Sequence, residues 1–578
     1  MISPLRKSLI DLLLASGCEN PEEAAALASS ANSGNSWAVD VLNSGKVDEQ
    51  KFVAQLGQLF KTPVETISPE RIDRTALGLL PSRFVFKHHI LPLQAKNDGV
   101  RLATYDVFNS VARKLAAQLL VGKKLEWVLV PRTQLLRALK TVYGVGAETF
   151  DEILKSSRNL DAIDDRAQSM DLNADDPEAS VVKFVNQIIR EAIIERATDI
   201  HVEPLESDLR IRYRIDGILH EVGVPPQLLL LQSSILSRLK VMAQMDIAEK
   251  RLPQDGRINL QSGGETIDVR VSTIPTVNGE SISLRLLTRN EQQEFGLERL
   301  DMHAKQVNIV RGLLAQPNGI ILVTGPTGSG KSTTLYSYIT SINSVQRRII
   351  TIEEPVEYRL PGVSQIDVKP EIGLTFATGL RHILRQDPNV VMVGEIRDFE
   401  TAEIAIRAAM TGHLVFSTLH TNDAVGGITR LLDMGVEPFL LASVVRGFIA
   451  QRLVRTICPD CKVEAGYPVD YLNEIGALIA PDLKYYRGAG CENCRQTGYR
   501  GRIAIYEFCV ISEGLRRLII QKSPGSDLKQ RAMQDGMETL RQDGWRRVLK
   551  GQTSIEEVVR VTQIDESLVD TDDLTTPL

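Results

Sequence analysis

Leu9, Leu12 and Leu13, followed by Ala24, Ala25 and Leu27, recur at helical spacing over residues 8–30, around breaks at Gly17 and Asn20-Pro21. Residues 38–60 repeat the plan, with Val39, Val41 and Leu42 before Ser44-Gly45 and Phe52, Leu56 and Leu59 after it. Two weak helix–turn–helix repeats are predicted. Strand-like alternation follows at Leu91-Pro92-Leu93-Gln94 and at 100–104, around a turn at Asn97-Asp98-Gly99. A helix over 108–121, a strand over 126–130 and a helix over 132–143 complete a small α/β module within 1–150. From 151 to 178 periodicity fades while Asp161, Asp164, Asp165, Asp171, Asp175 and Asp176 accumulate, the composition of a solvated linker.

Order returns at 179, where Val182, Phe184, Val185, Ile188, Ile189, Ala192 and Ile193 mark a buried helix face. Strands are predicted at 209–215, 267–273 and 281–287, giving a separate α+β domain over 179–290. Arg210, Arg212 and Arg214 share one face of their strand, which ordinarily is a solvated sheet surface. Arg257, Arg270 and Arg285 come from separate stretches, and their spread keeps an anion-facing role open.

From about 318 strand and helix patterns alternate as in a parallel sheet. One apolar run, Ile320-Ile321-Leu322-Val323-Thr324, stops at Gly325-Pro326-Thr327-Gly328-Ser329-Gly330-Lys331-Ser332-Thr333. This is G-x-x-x-x-G-K-[ST] between a strand and a helix start, the context the motif requires. Gly325, Gly328 and Gly330 let the backbone turn and aim N–H groups at phosphate oxygens. The helix amino terminus adds attraction. Lys331 is expected to reach the β- and γ-phosphates and the Ser332 hydroxyl to ligate magnesium, so ATP with magnesium is the expected cofactor. Three further strands end at Glu353-Glu354, at Gly394-Glu395, and between His413 and His420. The carboxyl ends of strands line the ligand crevice of open α/β sheets, so these groups are candidates for one site.

Composition narrows the class. A chain of 578 residues with 43% hydrophobic and 24% charged residues suits about three or four soluble domains. The net charge of -6 gives no global attraction to nucleic acid. No apolar run reaches the roughly 18 residues needed to span a bilayer, which predicts a cytoplasmic protein meeting membranes only through partners. Four of the six cysteines form Cys458-Pro459-Asp460-Cys461 and Cys491-Glu492-Asn493-Cys494. Such C-x-x-C pairs suit one structural zinc ion in a subdomain over about 456–503; redox dithiols or idle cysteines are the alternatives.

Several further motifs are more specific. They include Leu374-Thr375-Phe376, Gly379-Leu380-Arg381-His382-Ile383-Leu384-Arg385-Gln386-Asp387-Pro388 and Val393-Gly394-Glu395-Ile396-Arg397-Asp398, with Ala409-Met410-Thr411-Gly412-His413 and Ser417-Thr418-Leu419-His420-Thr421-Asn422-Asp423. With the phosphate loop and the four cysteines, they make the chain resemble the GspE/PilB branch of the secretion ATPases, the motors of type II secretion and type IV pilus assembly. The resemblance is strong over about 180–510. It implies a RecA-like P-loop core over 291–578 with a zinc-knuckle insertion, preceded by a PAS-like α+β domain and a small α/β amino-terminal module. Thr351-Ile352-Glu353-Glu354-Pro355-Val356-Glu357 matches the family's Asp box, which polarises the attacking water; Glu353 is favoured for that role over Glu354. Glu395 matches the atypical Walker B acid and His413 and His420 the His box. Arg257, Arg270 and Arg285 match arginines that approach the nucleotide from the second domain, and Arg381, Arg385 and Arg397 match a basic set tied to activity. The resemblance further implies a homo-hexamer at the inner membrane, acting on a platform protein, with the amino-terminal module on a cytoplasmic adaptor. The two amino-terminal repeats lack the Arg-Leu-Gly starts of cyclic-di-GMP-binding members, so that ligand is not expected. A nucleotide-gated scaffold without turnover, or a nucleic-acid translocase, are the rival readings; the missing basic aromatic stripe opposes the second.

Overall fold

Tertiary contacts divide the chain into Met1–Arg289 and Asn290–Leu578. The computed structural model describes residues 4–29, 37–68, 71–96, 99–143, 170–171, 180–224, 226–262, 265–288, 295–477 and 483–563. The expected linker lies outside these residues except for Met170–Asp171, as do Asn35-Ser36 and Asn97-Asp98.

In the first unit, helices Pro4–Ala15, Pro21–Ser29, Trp37–Asn43 and Glu49–Phe60 break where the sequence predicts. They bury Leu9, Leu13, Trp37, Val41, Phe52 and Leu56 together. Asp48 starts the last of them by accepting from the Lys51 N–H at 2.8 Å, the usual carboxylate cap. Strands β1 (Leu91–Lys96), β2 (Gly99–Thr104) and β3 (Lys124–Leu129) form a sheet in that order, with helices Ser110–Leu119 and Arg132–Tyr143 beside it. A seven-residue helix, Ser82–His88, is absent from the sequence reading because fewer than two turns give no period to detect.

The second half of this unit is a seven-stranded sheet of order β4-β8-β9-β10-β5-β6-β7. Its strands are β4 (Met170–Asp171), β5 (Asp199–Pro204), β6 (Leu209–Ile215), β7 (Ile218–Val222), β8 (Gln254–Ser262), β9 (Glu265–Thr276) and β10 (Gly279–Thr288). Helices Ser180–Ile194 and Gln232–Met242 supply the apolar cover, from Phe184 and Ile188 to Ile235 and Leu239. The architecture is α+β, as expected. On the opposite face Arg210 and Arg212 pair with Glu203 at 3.0 and 2.5 Å, so the arginine row of β6 is a charged sheet surface.

The second unit is built on a seven-stranded sheet of order β13-β12-β14-β15-β11-β16-β19. The strands are β11 (Gly319–Thr324), β12 (Ile349–Glu353), β13 (Ser364–Asp367), β14 (Val390–Val393), β15 (Leu414–Leu419), β16 (Val445–Ile457) and β19 (Tyr499–Val510). All neighbours run parallel except β16 and β19. Every residue of β11 is buried, which is why it reads as an unbroken apolar run. β14 and β15 stand between β11 and β12, so the carboxyl ends of all four gather at one edge. β16 and β19 run on to a small subdomain carrying the hairpin β17 (Lys462–Ala465) and β18 (Tyr485–Gly488). Leu472 and Tyr485 of this subdomain pack with Trp545 and Ile555 of the helices Leu540–Leu549 and Ile555–Val561 in a cluster of their own.

Candidate active site

The loop after β11 turns through Gly325, Gly328 and Gly330 at φ of 148°, 79° and 88°, and helix Lys331–Ile342 begins directly after it. A side chain at Gly325 would place a Cβ 2.6 Å from the Gln451 carbonyl oxygen, so only glycine fits there. Pro326, Thr327 and Gly328 are exposed, Ser329 is buried, and Ser332 and Thr333 are half-buried in the first helical turn. No side chain caps that helix, so its first N–H groups stay available to an anion. Lys331 folds back over the loop, its Nζ donating to the carbonyls of Gly325 at 2.8 Å and Pro326 at 3.0 Å.

Burial pushes the Lys331 ammonium down to about 8; Glu395 opposes the shift, Arg452 adds to it and Glu357 opposes it. Above that pH the free protein holds a neutral amine, whereas a bound polyphosphate favours the ammonium. ATP binding is therefore expected to take up a proton at pH 8.5–9, and ATP affinity to fall with rising pH by up to roughly tenfold per unit. Calorimetry in buffers of different ionisation heat measures the uptake, and Lys331→Arg is expected to abolish it.

Glu395 follows β14 and is largely buried. Its Oε1 accepts from Arg397 Nη2 at 2.5 Å and its Oε2 lies 3.1 Å from His420 Nε2. Arg397 also reaches Glu354 at 2.9 Å, which ties that acid into an ion pair. Gly394 stands where a Cβ would come within 3.3 Å of the Glu353 Cα, a tight strand contact.

Of the two remaining expected members, Glu353 ends β12 at the loop edge and His413 does not lie there. Glu353 is buried, and its carboxylate is occupied by Tyr336 Oη, by Thr351 Oγ1 at 2.6 Å and by Gln365 Nε2 at 3.1 Å. Burial raises its pKa against those three hydrogen bonds. Such a carboxylate braces strand and helix. Glu354 and Glu357 are the exposed acids of the same segment; the charge of Glu357 acts on Lys331 and its N–H donates to Tyr336 Oη at 3.2 Å. His413 lies at the other end of its strand. It precedes β15, its backbone carbonyl accepts from the Gly319 N–H, and its Nδ1 sits 2.8 Å from the Ala408 carbonyl. Gly319 opens β11, so His413 is at the edge opposite the loop, roughly 20 Å along a six-residue strand. Of the two histidines only His420 is at the loop edge. Hydrophobic alternation cannot separate two histidines flanking one strand; strand direction does.

In the first unit, Arg257, Arg270 and Arg285 stand in direct register on β8, β9 and β10, followed by Asp199 on β5 and Arg214 on β6. Cross-strand partners share a face, so three cations line up side by side. Of these, Arg285 is paired with Asp199 at 3.1 Å and Arg257 is exposed.

Residues 174–560 match the family described as Type II/IV secretion system protein, which is more than half of the chain. The chain belongs to this family. Type II secretion system protein E of Aeromonas hydrophila is 53% identical over 398 residues, 69% of this chain and 79% of that protein. Type IV pilus assembly ATPase PilB of Myxococcus xanthus is 40% identical over 538 residues, 91% of this chain and 93% of that protein. The pilus retraction motor PilT with bound ADP is 29% identical, covering 66% of this chain and 97% of that one at a TM-score of 0.43. The protein is thus a secretion ATPase, a P-loop motor of the GspE/PilB type. Residues 60–149 also match the MshEN domain. That match covers the α/β part of the module, beyond the two helical repeats on which the sequence reading of cyclic-di-GMP binding turns. Among the described residues of this secretion ATPase, no helix is long and apolar enough to cross a membrane.

The secretion ATPase also brings Cys458, Cys461, Cys491 and Cys494 together, with their sulfurs within 4.8 Å of one another. Cys458 and Cys491 are 3.7 Å apart, Cys461 and Cys494 3.7 Å, and Cys491 and Cys494 3.6 Å. A tetrahedron with zinc–sulfur bonds of about 2.3 Å has edges of about 3.8 Å, so the donor set fits that ion. The Cys491 and Gly498 N–H groups donate to Cys494 Sγ at 3.1 and 3.2 Å, as backbone amides do around ligating thiolates. All four are free thiols rather than disulfides.

Proposed function

We propose that this secretion ATPase is a magnesium-dependent motor that cleaves ATP at the loop 325–333 to drive assembly of a type IV pilus or a type II secretion pseudopilus. The supporting observation is the phosphate loop at the carboxyl edge of the sheet, with Lys331 folded over it and the Glu395–His420 pair at the ends of neighbouring strands. In this reading the loop N–H groups and Lys331 hold the phosphates, and the Ser332 hydroxyl is the residue that would hold magnesium, which neutralises phosphate charge when bound. Glu357 orients the attacking water, while Glu395, held by Arg397 and His420, sets the field around it. The row Arg257, Arg270 and Arg285 is proposed as the anion-facing surface of the preceding domain.

The names of the relatives, a type II secretion system protein E and a type IV pilus assembly ATPase, support the assembly reading; a cytoplasmic homo-hexamer that meets the inner membrane through a platform protein and an adaptor is proposed with it. The four-part division at 1–150, 151–178, 179–290 and 291–578 belongs to the same proposal, as does a structural zinc ion on the four cysteines. The test is the purified protein with magnesium and ATP. Phosphate release by a particle of about six chains, raised by the platform protein in membranes, is expected. Bound ATP left uncleaved under those conditions would instead identify a nucleotide-gated scaffold. Stimulation by single-stranded DNA, lost at high salt, would identify a translocase.

A further inference from the structure

We propose that Gln451 is a positioning residue for the phosphate loop, and this deepens the ATP-binding reading on which it rests. Gln451 sits on β16, directly beside β11, and is 2% exposed. Its Oε1 accepts from Thr334 Oγ1 at 2.7 Å, in the first turn of the helix that starts at Lys331. Its Nε2 lies where a Cβ on Gly330 would approach within 2.8 Å, and its backbone oxygen lies 2.6 Å from a Cβ placed on Gly325. One residue therefore abuts both glycine ends of the loop and also anchors the helix behind it. The next residue, Arg452, reaches around the other side and donates to the Asn422 carbonyl at 2.7 Å.

The residue type follows from this placement. Thr334 is fully buried, so its hydroxyl needs an acceptor, and an apolar side chain at 451 would remove the Gln451 oxygen and leave it only the neighbouring Tyr506 hydroxyl. A carboxylate at 451 would accept that bond equally well, but it would put a negative charge against the loop that binds phosphates. A glutamine meets both demands. Because the first helical N–H groups carry no side-chain cap, their aim depends on what holds the helix start, and Gln451 is a buried side chain that holds it.

The test uses the full-length protein, with ATP affinity by calorimetry, steady-state kinetics and thermal melting. Gln451→Met is expected to raise KM for ATP about tenfold while kcat falls less than threefold. Gln451→Glu keeps the Thr334 acceptor and hence the melting temperature, yet is expected to weaken ATP binding by more than tenfold, partly recovered by added salt. Thr334→Ser is expected to bind as wild type, and Thr334→Val combined with Gln451→Met to bind no worse than Gln451→Met alone. Wild-type affinity in folded Gln451→Glu, or full additivity of the two losses, would overturn the proposal. Failure of the wild-type protein itself to bind ATP would instead overturn the reading of the loop.

Discussion

Glu357→Gln is expected to lower kcat for ATP hydrolysis by about 10²–10⁴-fold, the scale of a lost acid–base or water-orienting group. ATP binding should be nearly unchanged, because an exposed carboxylate beside Lys331 repels phosphate if anything. Glu353→Gln should behave differently. An amide has one carbonyl oxygen where the carboxylate offers two acceptors to Tyr336, Thr351 and Gln365. The loss falls on packing between β12 and the helix of Lys331–Ile342, costing roughly 1–3 kcal/mol of stability. It should appear as a lower melting temperature with kcat reduced by less than about tenfold. Steady-state hydrolysis, nucleotide binding and melting on the same preparations separate the two variants. Abolished turnover in a Glu353→Gln protein that melts like wild type, alongside an active Glu357→Gln protein, would return the water-orienting role to Glu353.

That contrast shows where sequence reading stops. The phosphate loop was legible because motif, strand and helix start coincide within fifteen residues, and a fully buried parallel strand such as β11 is apolar throughout. The parallel sheet and the α+β domain were legible for the same reason, through alternation and the helix face from Phe184 to Ala192. Within Glu353-Glu354-Pro355-Val356-Glu357, however, acids three and four apart differ only in direction: Glu353 ends the strand and turns inward, Glu354 meets Arg397, and Glu357 is exposed after the bend. Directions set by a turn leave no periodic trace. His413 and His420 look equivalent in sequence because a strand has two ends, and only its parallel pairing with β11 says which end meets the loop. The register of Arg257, Arg270 and Arg285 was equally hidden, since it depends on hairpin pairing between β8, β9 and β10. Gln451 carried no signal either, because its partner Thr334 is 117 positions away.

Zinc removal is expected to have the second large effect, and to have it locally. The protein as purified should carry one zinc ion per chain, and Cys461→Ser or Cys494→Ser should lose it. Binding free energy of structural zinc is folding free energy for a small module, so a chelator should unfold the subdomain over about 456–503 before the sheet. The metal-side ends of β16 and β19 meet there, with Ile457 opposite Tyr499 and the Cys458 N–H donating to the Gly498 carbonyl at 2.9 Å. Amide exchange should therefore accelerate first at these strand ends and at the hairpin of β17 and β18, while β11 and the phosphate loop remain protected. The four thiols should react with a thiol reagent only after the chelator is added, because coordinated sulfur is a poor nucleophile towards it. Two disulfides found in the untreated protein would assign the cysteines to redox chemistry, and four thiols that react fully in it would overturn the metal site. Coordination and redox use thus make opposite demands on the same sulfurs, and sulfur separations of 3.6 and 3.7 Å, close to a tetrahedral edge and well beyond a bond of about 2.05 Å, favour coordination.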